Sequence, residues 1–175
     1  RDAYWGMTKK QVQYVEKNAR LIKRLSSKDM LLFQTEMFGD KYCGLFYQFA
    51  GNKLVGCGYS FLNIFNYNTY RSVAESVEND DKYVAYYESF KKGITDKYGA
   101  AIEDTTIIKC SDIDENDSMA KKVKTGCLEK IAKWETEQAI ISCRLFGGEN
   151  IMIGCGVSYQ PKYMKTNPED NRSLF

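Results

Sequence analysis

One stretch of this sequence occurs twice. Residues 52–61 read Asn-Lys-Leu-Val-Gly-Cys-Gly-Tyr-Ser-Phe, and residues 150–159 read Asn-Ile-Met-Ile-Gly-Cys-Gly-Val-Ser-Tyr. The Asn, the Gly-Cys-Gly and the Ser coincide, and the apolar positions match in kind. A Cys-x-Leu-Phe stands upstream of each copy, at Cys43 to Phe46 and at Cys143 to Phe146. Apolar runs broken by Gly and Asn at this spacing read as β-hairpins, so two related hairpins are expected about 100 residues apart.

The rest of the chain is ordered around them. Thr8 and Gln11 have the spacing of a capping box, and Met7 and Val12 that of a hydrophobic staple. A helix is therefore expected from Thr8, fading around 18–22. Residues 29–62 read as a three-stranded antiparallel meander with turns at Gly39-Asp40 and Gly51-Asn52. Pairing Ala50 with Lys53 sets Tyr47 opposite Gly56 and puts Cys43 and Cys57 on opposite faces. Gly56 and Gly58 then leave room for large rings or for a helix. Residues 63–80 form an Asn- and aromatic-rich connection, helical in part near 70–77. A second helix opens at Asp80 or Asp81, carries Val84, Tyr87, Phe90, Ile94 and Tyr98 at helical spacing, and closes at Gly99. A short β run at 105–110 follows, then an acidic loop, a weakly amphipathic stretch at 119–133, and strands at 134–146 and 151–159.

This order predicts an α+β fold: an antiparallel sheet with helices packed on one face, built from two tandem helix-plus-hairpin units. The units are expected at 1–79 and 80–160 in one compact domain, with a tail at 161–175.

Composition narrows the chemistry. Histidine is absent from the 175 residues, so no Ser-His-Asp or Cys-His nucleophile pair can form, nor the usual His-containing metal sites. The net charge of +2, without a long basic run, argues against a nucleic-acid partner. The sequence contains no apolar run long enough to span a membrane. The first residue is Arg rather than Met, which a removed signal peptide, a lipoprotein leader or a cloning choice would each explain. Six cysteines without a Cys-x-x-Cys pair read either as disulfides in an oxidising compartment or as buried thiols.

Four short pieces carry a resemblance: Trp5-Gly6-Met7-Thr8-Lys9-Lys10-Gln11-Val12 with Glu16 four residues on; Tyr47-x-Phe49 followed by Asn52-Lys53-Leu54; Lys97-Tyr98-Gly99; and Trp134-Glu135-Thr136. Together they resemble a group of small secreted or lipid-anchored bacterial proteins of unassigned function with a β-lactamase-inhibitor-like fold. The six cysteines and the 112–133 insertion depart from that pattern. The resemblance implies an envelope or extracellular location and a non-catalytic role, and it supplies no catalytic residues.

Several candidate sites remain. Cys110 and Cys127 bracket the polar insertion, and a disulfide there would close a loop of about 18 residues, worth roughly 3 kcal/mol on the chain-entropy model. The two Gly-Cys-Gly segments read as a Cys57–Cys155 bond, a metal pair, or buried structural thiols. Asp112-x-Asp114-x-Asn116 opens like a calcium loop, but Asp117 and Val123 stand where that loop needs Gly and Glu, so a solvated acidic loop is the plainer reading. Phe65, Tyr67 and Tyr70 offer rigid contact area with polar tips, suited to recognising a protein or a carbohydrate. They are the binding residues the sequence nominates; the plain alternative is that they tuck beneath their own loop. Carboxylates such as Glu36, Glu75 and Glu103 show no acid/base spacing, although a fold can bring distant ones together.

The expected function is a non-enzymatic envelope or secreted domain that binds a protein or cell-surface component. No cofactor, metal or membrane-spanning segment is expected, and the precursor is a candidate for a lipid anchor. The alternatives are a carboxylate-based hydrolase lacking His and a structural subunit of an envelope assembly.

Overall fold

The computed structural model describes residues 2–37, 41–62, 80–148 and 152–163. Among them the chain forms α1 (Lys9–Val15), β1 (Arg20–Leu21), a 3-10 turn (Lys23–Leu25), β2 (Met30–Met37), β3 (Lys41–Ala50) and β4 (Lys53–Leu62). It continues with α2 (Asp81–Tyr98), β5 (Glu103–Ile108), α3 (Met119–Lys124), β6 (Leu128–Glu135), β7 (Ala139–Gly148) and β8 (Met152–Pro161). The fold is α+β. Among the described residues eight strands make one antiparallel sheet in the order β1-β2-β3-β4-β8-β7-β6-β5. The repeated segments supply β4 and β8, which are neighbours at the centre of that order.

The chain gathers into two compact units. One comprises Arg1–Ser60, Glu135–Ile141 and Ser158–Phe175; the other comprises Phe61–Trp134 and Ser142–Val157.

In the first unit the capping box forms. The Thr8 hydroxyl accepts from the Gln11 N–H, and the Gln11 side-chain oxygen accepts from the Thr8 N–H at 2.8 Å. The staple residues Met7 and Val12 both enter a core with Trp5, Leu31, Phe33, Leu45, Tyr47, Phe49 and Leu54. The Gly6 N–H donates to Leu54 O at 3.0 Å and the Leu54 N–H to Met7 O at 2.8 Å, so the N-terminal segment is stitched to the start of β4. Helix α1 stops at Val15, earlier than expected. Residues 20–21 leave helical geometry to pair with Phe33 and Gln34 of β2.

The β3–β4 turn is built on two left-handed residues, Gly51 (φ 55°) and Asn52 (φ 65°). That geometry suits the twist of a two-residue hairpin, and Gly and Asn tolerate it best. Ala50 pairs with Lys53 and Phe49 with Leu54 as expected, but the register then shifts: Gln48 pairs with Gly56 and Tyr47 with Cys57. Val55 is the extra residue of a bulge, and the expected register is corrected from there on. Past the bulge every β4 side chain changes face, so Cys57 joins Cys43 and Tyr47 on one face. Gly56 instead stands opposite Gln48. The space it leaves is taken by the Gln48 side chain, whose Oε1 lies 2.9 Å from where a Cβ would be, and not by an aromatic ring.

In the second unit α2 buries Tyr83, Tyr87, Phe90 and Ile94. The stripe starts at Tyr83 rather than Val84, and Tyr98 is exposed. Gly99 ends the helix with φ 87°, and its carbonyl accepts from Trp134 Nε1 at 3.0 Å, which ties the helix end to β6. Phe61 stacks on Tyr86 with ring centroids 4.4 Å apart.

The amphipathic stretch at 119–133 divides. Ser118 caps α3 by accepting from the Lys121 N–H at 3.2 Å, and Gly126 ends the turn with φ 78°. Residues 128–135 are then a strand, β6, paired residue by residue with β5. Its alternation buries Leu128, Ala132 and Trp134, but charged residues between them disguise the period of two.

Candidate functional site

The sulfur chemistry separates into two classes. Cys110 and Cys127 form a disulfide with their Cα atoms 4.9 Å apart, 17 residues apart in sequence. The geometry follows from the β5–β6 ladder: the Lys109 N–H donates to Cys127 O at 2.8 Å, which brings Cys110 alongside Cys127. The bond therefore clips the base of the 111–126 excursion where the two strands end.

Cys43, Cys57, Cys143 and Cys155 are buried thiols outside that disulfide. Cys43 and Cys57 share a face, but the register carries Cys43 past the Gly44–Ser60 pair, four residues from Cys57 along β4. Four residues of strand span about 13 Å, beyond a disulfide's reach. Burial, assisted by the Glu16 carboxylate, pushes the Cys57 thiol up to about 12. Burial, assisted by Glu88, does the same for Cys143, whose Sγ lies 3.9 Å from Tyr87 O. Burial also raises Cys155 strongly. A thiol held in the neutral form is a weak nucleophile, since the thiolate is the reactive species.

Among the described residues two carboxylates are buried, Glu16 and Glu129. Glu16 caps the C-terminus of α1 and accepts a hydrogen bond from the Tyr47 hydroxyl. Its spacing of four from Val12 puts it on the helix's buried stripe, which is the signal by which the sequence marks it. Glu129 on β6 accepts from Arg144 Nε at 2.8 Å and is ion-paired to Lys109 Nζ at 2.9 Å. Burial alone would raise Glu129, but the hydrogen bonds and charges of Lys109 and Arg144 outweigh it and hold the carboxyl below its ordinary value. Reading 119–133 as one weakly amphipathic stretch hid this pair, because only the strand register carries Glu129 between the two cations. A third inward pair, Lys124 with Asp80 at 2.7 Å, fastens α3 to the start of α2 with both side chains largely covered.

The nominated residues fall as follows. Phe65, Tyr67 and Tyr70 lie outside the described residues, as does Glu75. Glu103 is ion-paired to Lys133 at 2.8 Å. In the acidic loop Asp114 Oδ1 accepts from the Asn116 N–H at 2.9 Å, and Asp117 pairs with Lys121 at 2.5 Å, so these side chains close on their own loop. Among the described residues no group of three or more His, Cys, Asp or Glu side chains is placed to hold a metal ion. None of the helices among them is long and apolar enough to cross a membrane.

Compared with known protein families, curated proteins and solved structures, the chain finds no match.

Proposed function

We propose that this chain is a non-enzymatic binding domain of a bacterial envelope or the extracellular space, recognising a protein or another cell-surface component. In this reading its two helix-plus-hairpin units stand in tandem with their helices on one sheet face, as the β-lactamase-inhibitor-like resemblance implies. The observation that carries the reading is the division of the cysteines. One pair is joined across the base of an excursion, as suits an oxidising compartment, while four thiols are sealed in the interior. The commitment of the buried carboxylates supports the non-catalytic half. Glu16 is held by Tyr47, and Glu129 by Lys109 and Arg144. A general acid or base needs a reachable carboxyl with a proton to exchange near the working pH. Recognition is assigned on sequence grounds to Phe65, Tyr67 and Tyr70.

The test is capture from native envelope extracts under non-reducing conditions, followed by purified-component titration. A saturable partner retained by the wild type and lost by the combined Phe65→Ser, Tyr67→Ser and Tyr70→Ser variant is the expected result. Hydrolysis of an envelope polymer, abolished by a single carboxylate-to-amide substitution, would overturn it.

A further inference from the structure

Among the described residues strand β5 ends the sheet order, and its outer side is open to pairing. The opposite terminal strand, β1, is two residues long and is followed by Lys23 and Arg24. A short strand beside charge is a common protection of a sheet edge. Strand β5 is six residues long, Glu103-Asp-Thr-Thr-Ile-Ile, and contains neither Pro, Gly nor Lys. Its two acidic residues are already neutralised, Glu103 by Lys133 and Asp104 by Lys91. Lys109, next along the chain, is turned back onto Glu129. At the two ends of the segment stand Ile102 and Ile108, 65% and 67% exposed, the most exposed large aliphatic side chains among the described residues.

The ladder fixes which backbone groups face outward. The Lys109 N–H donates to Cys127 O, so Lys109 and Cys127 are a hydrogen-bonded pair. Antiparallel alternation then turns the N–H and C=O of Ile107, Thr105 and Glu103 toward β6, and those of Asp104, Thr106 and Ile108 toward the open edge.

We propose that this edge pairs with β5 of a second copy of the chain, antiparallel about a two-fold axis at Thr105. This register sets Asp104 of one copy opposite Thr106 of the other and joins their outward backbone groups. It covers Ile108 at each end of the paired segment, while Ile102, whose N–H is turned inward to Lys133 O, stands just outside it. Like charges never face each other, since Glu103 meets Ile107. The contact is isologous and closes on itself, so it makes dimers and not fibres. A single pair of short strands buries less than the ~1,200 Å² typical of lasting complexes, so the dimer is concentration-dependent.

Sedimentation across a dilution series of the full chain tests this. The expected result is a shift from the 20.1 kDa monomer to twice that mass as concentration rises. Thr106→Pro removes an outward N–H and spares the β6 ladder, and Ile108→Lys places charge on the edge. Each weakens dimerisation at least tenfold while circular dichroism stays that of the wild type. Thr105 is at the axis in a non-hydrogen-bonded pair, with Cα atoms about 4.5 Å apart, within disulfide range. Thr105→Cys therefore gives a covalent dimer under mild oxidation, and Thr106→Cys does not. A monomer at every concentration overturns the proposal. So does a dimer that survives Thr106→Pro and Ile108→Lys, or one cross-linked through Thr106→Cys instead.

Discussion

Tyr47 donates its phenolic hydrogen to the carboxylate of Glu16, 31 residues earlier in the chain, and so joins the third strand to the end of the first helix. Both residues are buried. The pair fixes how α1 leaves the core and turns back as β1. Tyr47→Phe keeps the ring among its neighbours and removes one donor from a carboxylate shut away from water. A hydrogen bond to a charged group is worth about 1.5–3 kcal/mol, and leaving a buried acceptor short of a donor costs about as much. For a domain of this size that is a loss of roughly 4–10 °C in Tm. Glu16→Gln retains an acceptor and loses less. Thermal unfolding of the two variants checks the order; a Tyr47→Phe variant as stable as wild type contradicts it.

The thiols and phenols of the interior set an alkaline limit. Cys57 and Cys143 are pushed from 9.0 up to about 12, and Tyr83 from 10.0 up to about 12, each chiefly by burial. These folded-state values lie above the unfolded ones. The folded chain therefore keeps protons that the unfolded chain gives up. Their contribution to stability is full below these ordinary values and is lost as pH rises towards 12, from about 9 for the two thiols and from about 10 for Tyr83, by about 1.4 kcal/mol per pH unit for each thiol. Denaturant titrations should show this decline, and the combined Cys57→Ala and Cys143→Ala variant should show a shallower one.

Glu129 predicts an asymmetry. Its side chain is 7% exposed, whereas those of Lys109 and Arg144 are 48% and 52% exposed. Removing both cations strands a charge in the interior, at a cost of about 3–5 kcal/mol. Removing the acid as Glu129→Gln leaves two cations that water can solvate, and costs less. The folded pKa of Glu129 is depressed, so the pair's contribution is present above the unfolded carboxyl value and fades as the pH falls below it. The Lys109→Ala, Arg144→Ala variant should therefore lose its disadvantage in acid. A parallel offset at all pH values would contradict this.

Adjacent glycines in β7 should respond differently to alanine. A Cβ on Gly147 would meet Val123 O at 1.8 Å, whereas one on Gly148 meets nothing within 4 Å. The Gly147 contact is with backbone, which yields less readily than a side-chain tip. Gly147→Ala should cost on the order of 3 kcal/mol, and Gly148→Ala should be close to neutral in the same urea titration.

Local chemistry was the readable part of this sequence. The Thr8–Gln11 box, the Gly51-Asn52 turn and the meander depend on residues close together, and so does the Cys110–Cys127 bond, whose partners close a short excursion. What escaped depends on partners far along the chain. The bulge at Val55 is accompanied by Gly56, which reads in sequence as space for a large ring, and it moves Cys57 to the other face. Strand β6 carries Glu129, Lys130 and Lys133 among its apolar positions, so its pairing with β5 outweighs a helix-like pattern. Glu129 is recognisable as a buried charge only once Lys109 and Arg144 are in place around it, and Glu16, although its spacing from Val12 puts it on the buried stripe, finds its partner in Tyr47, 31 residues on. The aromatic residues nominated for binding, Phe65, Tyr67 and Tyr70, lie outside the described residues, and their role rests on sequence alone.

The division of the cysteines is the claim on which the location and the non-catalytic reading both depend, and thiol titration of protein purified without reductant tests it most directly. The account predicts no reactive thiols in the native chain, four after unfolding and all six after unfolding with reduction. Six thiols on unfolding without reductant, or a native thiol that reacts at neutral pH, would contradict it.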